Sequence, residues 1–483
     1  MTARSTRSLS SPPSGPPSEP PSGGSGITLA VIVACYLMVG LDSTIVNTGL
    51  PKIQHELAFT PTALSWVLNA YMLAFGGFLL LGGRSGDILG RRRVFIVGVA
   101  VFTAASLFGG LAQTSWWLII ARVAQGIGAA IAAPSTLALI AANFPAGPPR
   151  NRALSIYSAV AGAGGSVGLI LGGVLTDLVS WRWVLFINVP VGVAIVVCAP
   201  RFIAETPRSA GRFDVVGAVA STLGMTSLVF AFIQASAHGW TDVSTLAAFA
   251  IGILLMLAFL LIEQEAEHPV TPLRLFRDRR RSSALLNMLL LSAAMFGAFF
   301  FLIQFLQEVL VFRPAVAGIA FLPVTVTMFT TARYVPALIR RFGLRAVMVT
   351  GTALIAVADL WFSRVSPDTG YLTGILAPMF LLGMGVGSNF MPLNMTILEG
   401  VDSSEAGAAS GLAQSMQWVG GSLGLGILVS VFGLTSGGGG GHGTPGLLAQ
   451  GLPGVFTASA AFAACALVVA LFLITARPPE LKE

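Results

Sequence analysis

The chain has 483 residues, of which 55% are hydrophobic and only 10% charged, and its mean hydropathy is +0.83. A water-soluble surface on a chain this long needs far more charge, so a soluble enzyme or regulatory domain is excluded. The net charge of +7 does not mark a nucleic-acid surface, because the basic residues are dispersed through short loops between apolar runs.

Residues 1–26 are mostly Ser, Pro and Gly and cannot bury a core, which predicts a disordered cytoplasmic tail. The apolar run that follows is too long for the core of a signal peptide. A membrane-spanning helix needs roughly 20 apolar residues. Fourteen such runs are predicted, near 27–50, 62–82, 93–112, 116–143, 152–178, 183–203, 214–236, 243–262, 283–310, 315–338, 344–362, 371–395, 406–433 and 454–476. The chain therefore reads as an all-α membrane protein.

Charge tests that count. With the N-terminus inside, 21 of the 27 basic residues fall in inner segments. The outer loops hold four, Lys52, Arg182, Arg313 and Arg364, and Arg122 and Arg333 remain inside helices. A missed or extra helix would scramble this alternation, so both termini are predicted to be cytoplasmic.

An internal repeat divides the chain. GRSGDILGRRRVFIVG from Gly83 is echoed by PALIRRFGLRAVMVTG from Pro336, with Gly90, Arg92 and Gly98 matching Gly343, Arg345 and Gly351. GGSVGL from Gly164 is echoed by GGSLGL from Gly420. This predicts a six-helix bundle over 27–205 and a second over 283–476. Two linker helices and a basic loop fill 206–282, and a short tail covers 477–483.

Few other groups offer chemistry. Cys35, Cys198 and Cys465 lie in apolar runs without metal-ligand spacing and read as packing residues. The four histidines fall in or beside loops, so no metal, cofactor or intramembrane His relay is expected. Asp359 and Glu308 lie near the outer ends of helices 11 and 9 and are read as facing the interface. No P-loop accompanies the two lysines, which argues against an ATP-driven pump.

Four motifs stand out. LDSTIVNTGLP at 41–51 puts Asp42 about 12 Å from the outer end of helix 1, where a lone carboxylate is costly. The loop from Gly83 to Arg93 holds Gly83, Asp87, Gly90, Arg91 and Arg92, a tight turn with a carboxylate and two cations. RVAQGIGAAIAAP at 122–134 buries Arg122 about 9 Å inside helix 4, with Gln125 on the same face. Gly164, Gly168, Gly172 and Gly173 form a flat stripe on helix 5 that permits close helix approach.

These motifs, in this order, resemble the fourteen-helix drug:proton antiporter branch of the major facilitator superfamily. The resemblance covers nearly the whole chain after residue 26. Ser85, Ile88 and Leu169 depart from its patterns, the last two replacing a usual Arg and a usual Pro. It implies the major facilitator fold, with the Gly83–Arg93 loop as a conformational latch and the helix-5 Gly stripe as an antiporter motif. It also implies that helices 1 and 4 line a central cavity, where Asp42 exchanges protons and Arg122 modulates it. Asn47, Trp66, Asn69, Tyr71, Gln125, Phe300 and Gln304 are candidates for the cavity wall, and Phe296 and Phe299 share another face of helix 9.

The expected function is proton-coupled export of drugs, antibiotics or other small organic compounds across the cytoplasmic membrane. The expected partners are a small organic substrate, protons and lipid; the chain is read as a monomer and not as an enzyme. A nutrient symporter of the same fold is the alternative, and a labelled solute accumulated rather than expelled would identify it. A membrane sensor is a further alternative, but the loops are too short to carry a soluble module.

Overall fold

The computed structural model describes residues 25–206, 208, 214–266, 273–402, 405–436 and 445–472. The expected tails, most of the Gly-rich loop near 440 and parts of the linker lie outside the described residues. Thirteen helices are long and apolar enough to cross a membrane among the described residues. They are α1 Gly26–Glu56, α2 Ala63–Leu89, α3 Arg91–Gly110, α4 Ser115–Asn143, α6 Trp183–Phe202, α7 Val215–His238 and α8 Val243–Glu265. The series continues with α9 Arg279–Val309, α10 Pro314–Phe342, α11 Leu344–Phe362, α12 Tyr371–Leu398, α13 Ala406–Thr435 and α14 Gln450–Phe472. Between α4 and α6 runs α5, Pro148–Leu178, a helix of 31 residues. The protein is a multi-pass membrane protein.

Local chemistry sets where these helices begin and turn. Thr114, Asp214, Asp242 and Asp278 accept backbone N–H bonds at the starts of α4, α7, α8 and α9, satisfying donors that a helix start leaves free. Gly90, at φ +101°, turns α2 into α3, and Gly343, at φ +83°, turns α10 into α11. Only glycine takes such angles without strain, which explains the repeated Gly in both loops. Asn47–Gly49 is a 3₁₀ turn that bends α1 before its final segment, Leu50–Glu56.

Small residues set the spacing between helices, because no water is present to drive apolar faces together. A Cβ at Gly98 would press on the backbone of α4 at Gly128 and Ala132, and one at Gly128 would meet α3 at Phe102. The same contact recurs where Gly351 of α11 meets Gly385 of α12. The linker helix α7 packs on α8 and lies along the seam between α2 and α13. Gly77 abuts Thr222, Gly426 abuts Val229, and Gly433 abuts Ser236.

The first six and last six helices meet along α2 and α13 and again at one end of the bundle. At that end, opposite the arginine-rich Arg91–Arg93 loop, Gln307 Nε2 donates to the Thr48 carbonyl at 3.0 Å. His55 pairs with Glu308 and Arg313 with Asp177. Gly173 packs on the Pro314 backbone and Gly318 on the Leu169 carbonyl. This far end is sealed. The basic end carries no comparable set of bonds between α5 and α10–α12 among the described residues.

Candidate functional site

Helices α1, α3, α4 and α6 converge on one carboxylate. Asp42 Oδ2 accepts from Arg122 Nη1 at 2.6 Å, and Oδ1 accepts from Gln125 Nε2 at 3.0 Å and from Asn188 Nδ2 at 2.9 Å. Gln125 also donates to Ser106 Oγ at 2.8 Å and accepts from Arg122 at 3.0 Å. Arg122 Nε donates to the Val67 carbonyl at 2.9 Å, and its guanidinium lies 4.4 Å from the centre of the Tyr71 ring. Asp42, Arg122, Gln125 and Ser106 have no exposed surface.

Removing two charges from water costs several kcal/mol per ion unless each is paired and its remaining bonds are filled. Here Asp42 accepts from three donors, and Arg122 bonds through Nε and Nη1. The sequence placed Asp42 and Arg122 at comparable depth; the structure brings them into direct contact. Sequence reasoning passed over Asn188 and Ser106. A polar residue inside the apolar FINVP run of α6 was the signal that would have found Asn188.

Beside this cluster lies a cavity of about 270 Å³ between the two six-helix groups. One wall is polar, with Ser43, Thr44, Asn47, Tyr71 and Arg122. The facing wall is Met295, Phe296, Phe299, Met328, Phe390 and Trp418. Trp418 stands edge-on to Tyr71 and Phe75, bridging the two groups. Asp42 is one layer behind the polar wall, screened from the cavity by Arg122.

Several expected wall residues fall elsewhere. Phe300 and Gln304 are buried in the packing of α9, where Phe300 stacks edge-on to Phe301 and Gln304 donates to the Phe300 carbonyl. The cavity face of α9 holds the other pair, Phe296 and Phe299, while Phe300, about 100° around the helix from Phe299, is buried on the packed side. Gln125 belongs to the Asp42 cluster. Asn69 accepts from Ser422 Oγ at 2.9 Å across the α2–α13 contact, and Trp66 packs on Phe230 of α7. Asn47 and Tyr71 do line the cavity.

The glycine stripe of α5 serves two partners. A Cβ at Gly168 would overlap Thr44 Oγ1 and one at Gly172 the Ile45 carbonyl, so α1 lies directly on this face. Gly164 is in ordinary contact range of Gly40. Gly173 faces the opposite way, onto α10. Leu169, where the resemblance expects Pro, is buried, and Gly318 packs against its carbonyl.

In the loop between α2 and α3, Asp87 pairs with Arg91 one turn on rather than with the other six-helix group. Glu205 Oε1 accepts from the Arg92 N–H at 2.9 Å, and Thr206 Oγ1 from the Arg91 N–H at 3.1 Å. Arg92 Nη1 reaches the Ile203 carbonyl at 3.1 Å. The loop is thus tied to the end of α6 through Glu205, a residue the motif does not contain. Gly83 lies against Pro134 of α4. Asp359 and Glu308 also depart from expectation: Asp359 is fully buried, and Glu308 is partly buried and joins the far-end seal.

The comparisons with known proteins agree with this architecture. The Major Facilitator Superfamily profile matches residues 32–425. The cephamycin export protein CmcT of Amycolatopsis lactamdurans is 41% identical over 85% of this chain and 86% of its own length. The puromycin resistance protein pur8 of Streptomyces alboniger is 38% identical over 93% of this chain and 89% of its own length. A solved bacterial homolog of the human lysosomal transporter Spinster superposes with a TM-score of 0.66 at 16% identity, covering 94% of this chain and 97% of that one. Fourteen helices, an internal repeat and an ion pair buried beside a central cavity belong to one lineage: the chain is a member of the Major Facilitator Superfamily.

Proposed function

We propose that this protein is a proton-coupled antiporter that exports antibiotics or other small organic drugs across the cytoplasmic membrane. The relatives named for cephamycin export and puromycin resistance support the direction and the class of cargo. The observation that carries the coupling is the Asp42–Arg122 pair, with Arg122 in the cavity wall and Asp42 buried directly behind it. The charge bias of the loops supports a cytoplasmic position for the basic end and both termini. Under that orientation the far-end contacts and the pairing of Asp87 with Arg91 support reading this as the inward-facing form with the latch released.

Coupling follows from competition for one state of the pair. While Asp42 is ionised it neutralises Arg122, and the cavity presents no net charge to an amphiphilic cargo. A proton arriving at Asp42 removes the partner of Arg122 and changes the field at the polar wall. Cargo and proton then favour different states of the same site, which is the condition for exchange. One charge crossing 100 mV is worth about 2.3 kcal/mol, enough for a gradient of roughly fifty-fold. Cargo is placed between the aromatic wall and the polar wall at Asn47. Neither the transport cycle nor the fold calls for an enzyme activity or a second subunit.

The test uses inside-out vesicles with an imposed proton gradient. Asp42→Asn should abolish gradient-driven drug uptake while equilibrium drug binding persists. Gradient-driven uptake at the wild-type rate by that variant would overturn the coupling role.

A further inference from the structure

The mechanism above leaves one fully buried carboxylate unused. Asp359, near the far end of α11, has no exposed surface. Its Oδ2 is 2.7 Å from Ser459 Oγ of α14, its Oδ1 has no hydrogen-bond partner, and no cation pairs with it among the described residues. An ionised carboxylate in that setting carries a penalty of several kcal/mol that one hydroxyl does not offset.

The hydroxyl of Ser459 gives an independent indication. It also lies 3.3 Å from the Ala294 carbonyl of α9, and one O–H serves two acceptors poorly. With a proton on Asp359 the conflict disappears: Asp359 Oδ2–H donates to Ser459 Oγ, and Ser459 Oγ–H donates to the Ala294 carbonyl. The geometry points to Asp359 as a second proton-binding site, loaded in this conformation and located in the last six helices.

Among the described residues no competing charge faces it. Of the helices packed on α11, α10 carries Arg333, Tyr334, Arg340 and Arg341 toward the basic end, well away in depth. On α12, Tyr371 Oη is engaged with the Ala320 carbonyl. Cys465 of α14 is exposed. Glu308 of α9 is paired with His55, and Arg364, just beyond α11, is exposed.

Position in the repeat strengthens the assignment. The register that matches Gly90 to Gly343 and Gly98 to Gly351 puts Asp359 at the place of Ser106. Ser106 belongs to the polar network of Asp42. The same place in the fold therefore holds part of a charged, paired site in one group of helices and a lone acid in the other. A loaded proton leaves when the α9–α11–α14 contact loosens and water reaches Oδ1, and it returns when that contact re-forms.

This inference rests on the proton coupling proposed above, and the experiment separates the two. The full chain is reconstituted in liposomes at neutral pH and examined by infrared spectroscopy for the carbonyl stretch of a protonated carboxyl group. The ratio of protons to puromycin moved is measured in parallel. The band is expected in the wild type and in Asp42→Asn and is lost in Asp359→Asn, whose proton-to-drug ratio falls about twofold, one of two sites being removed. Ser459→Ala, a smaller change, keeps the band but shifts it, because the carboxyl loses its hydrogen-bond acceptor. A band that survives Asp359→Asn, a band unmoved by Ser459→Ala, or an unchanged ratio overturns the assignment. Coupled transport that survives Asp42→Asn overturns the earlier proposal alone.

Discussion

The two six-helix groups each enclose a carboxylate with no exposed surface, and they treat it in opposite ways. Asp42 is held by a guanidinium and two side-chain amides from two other helices, α4 and α6. Asp359 has one hydroxyl and a bare oxygen. Burial alone therefore says little about an acid in a membrane; its partners decide whether it holds a charge or a proton. The two halves of the repeat differ at this point, one holding a charge pair beside the cavity and the other an acid without a cation among the described residues.

The sharpest way to break this comparison is to make the first site resemble the second. Arg122→Leu strips Asp42 of its cation and should destabilise the protein by about 3–5 kcal/mol. Adding Asp42→Asn should recover much of that loss. Thermal unfolding in detergent reads both, and a single variant as stable as the wild type would mean the pair is not what holds Asp42.

The two faces of α9 give the next contrast. Phe300→Ala should cost about 3–5 kcal/mol in packing while leaving drug affinity nearly unchanged. Phe299→Ala, on the cavity wall, should weaken drug binding by more than it weakens the fold. Equal effects of the two on binding would move the cavity to the other face.

A smaller effect tests the amide that the sequence reading missed. Asn188→Ala removes one bond to a charged group and should cost about 1.5–3 kcal/mol. Its proton-driven efflux should fall while Ser459→Ala leaves that of the first site untouched. Efflux assays at matched expression separate the two.

The smallest effect compares the repeated loops. Gly343→Ala meets nothing within 4 Å and should pay only for its backbone angle, about 1–3 kcal/mol. Gly90→Ala has the same angle problem and also brings its Cβ to 2.8 Å from Glu205 Oε1. It should therefore cost more, with Glu205 displaced from the Arg92 N–H. Identical unfolding midpoints would mean that Glu205 gives way freely.

Much of this was legible in the sequence because a bilayer restricts what a chain can do. Backbone groups in hydrocarbon must bond within their own helix, so long apolar runs translate directly into helices. The basic loops, the repeat and the paired glycines at Gly90 and Gly343 followed from local rules. Asp42 and Arg122 were conspicuous because charge is rare and costly at depth.

What one-dimensional pattern left open was which residues meet. Asn188 lies 146 positions from Asp42, and nothing in its own helix points to that partner. Phe296 and Phe300 are equally apolar, and only the rotation of α9 within the bundle sends one to the cavity and the other into the packing. Asp359 looked like an interfacial acid because its distance along α11 was readable and its burial by α14 was not. The sequence by itself determined the helices, their number and the places where charge had to be accommodated. The tertiary structure decided which acid received a cation, because pairing depends on neighbours from other helices rather than on position along its own.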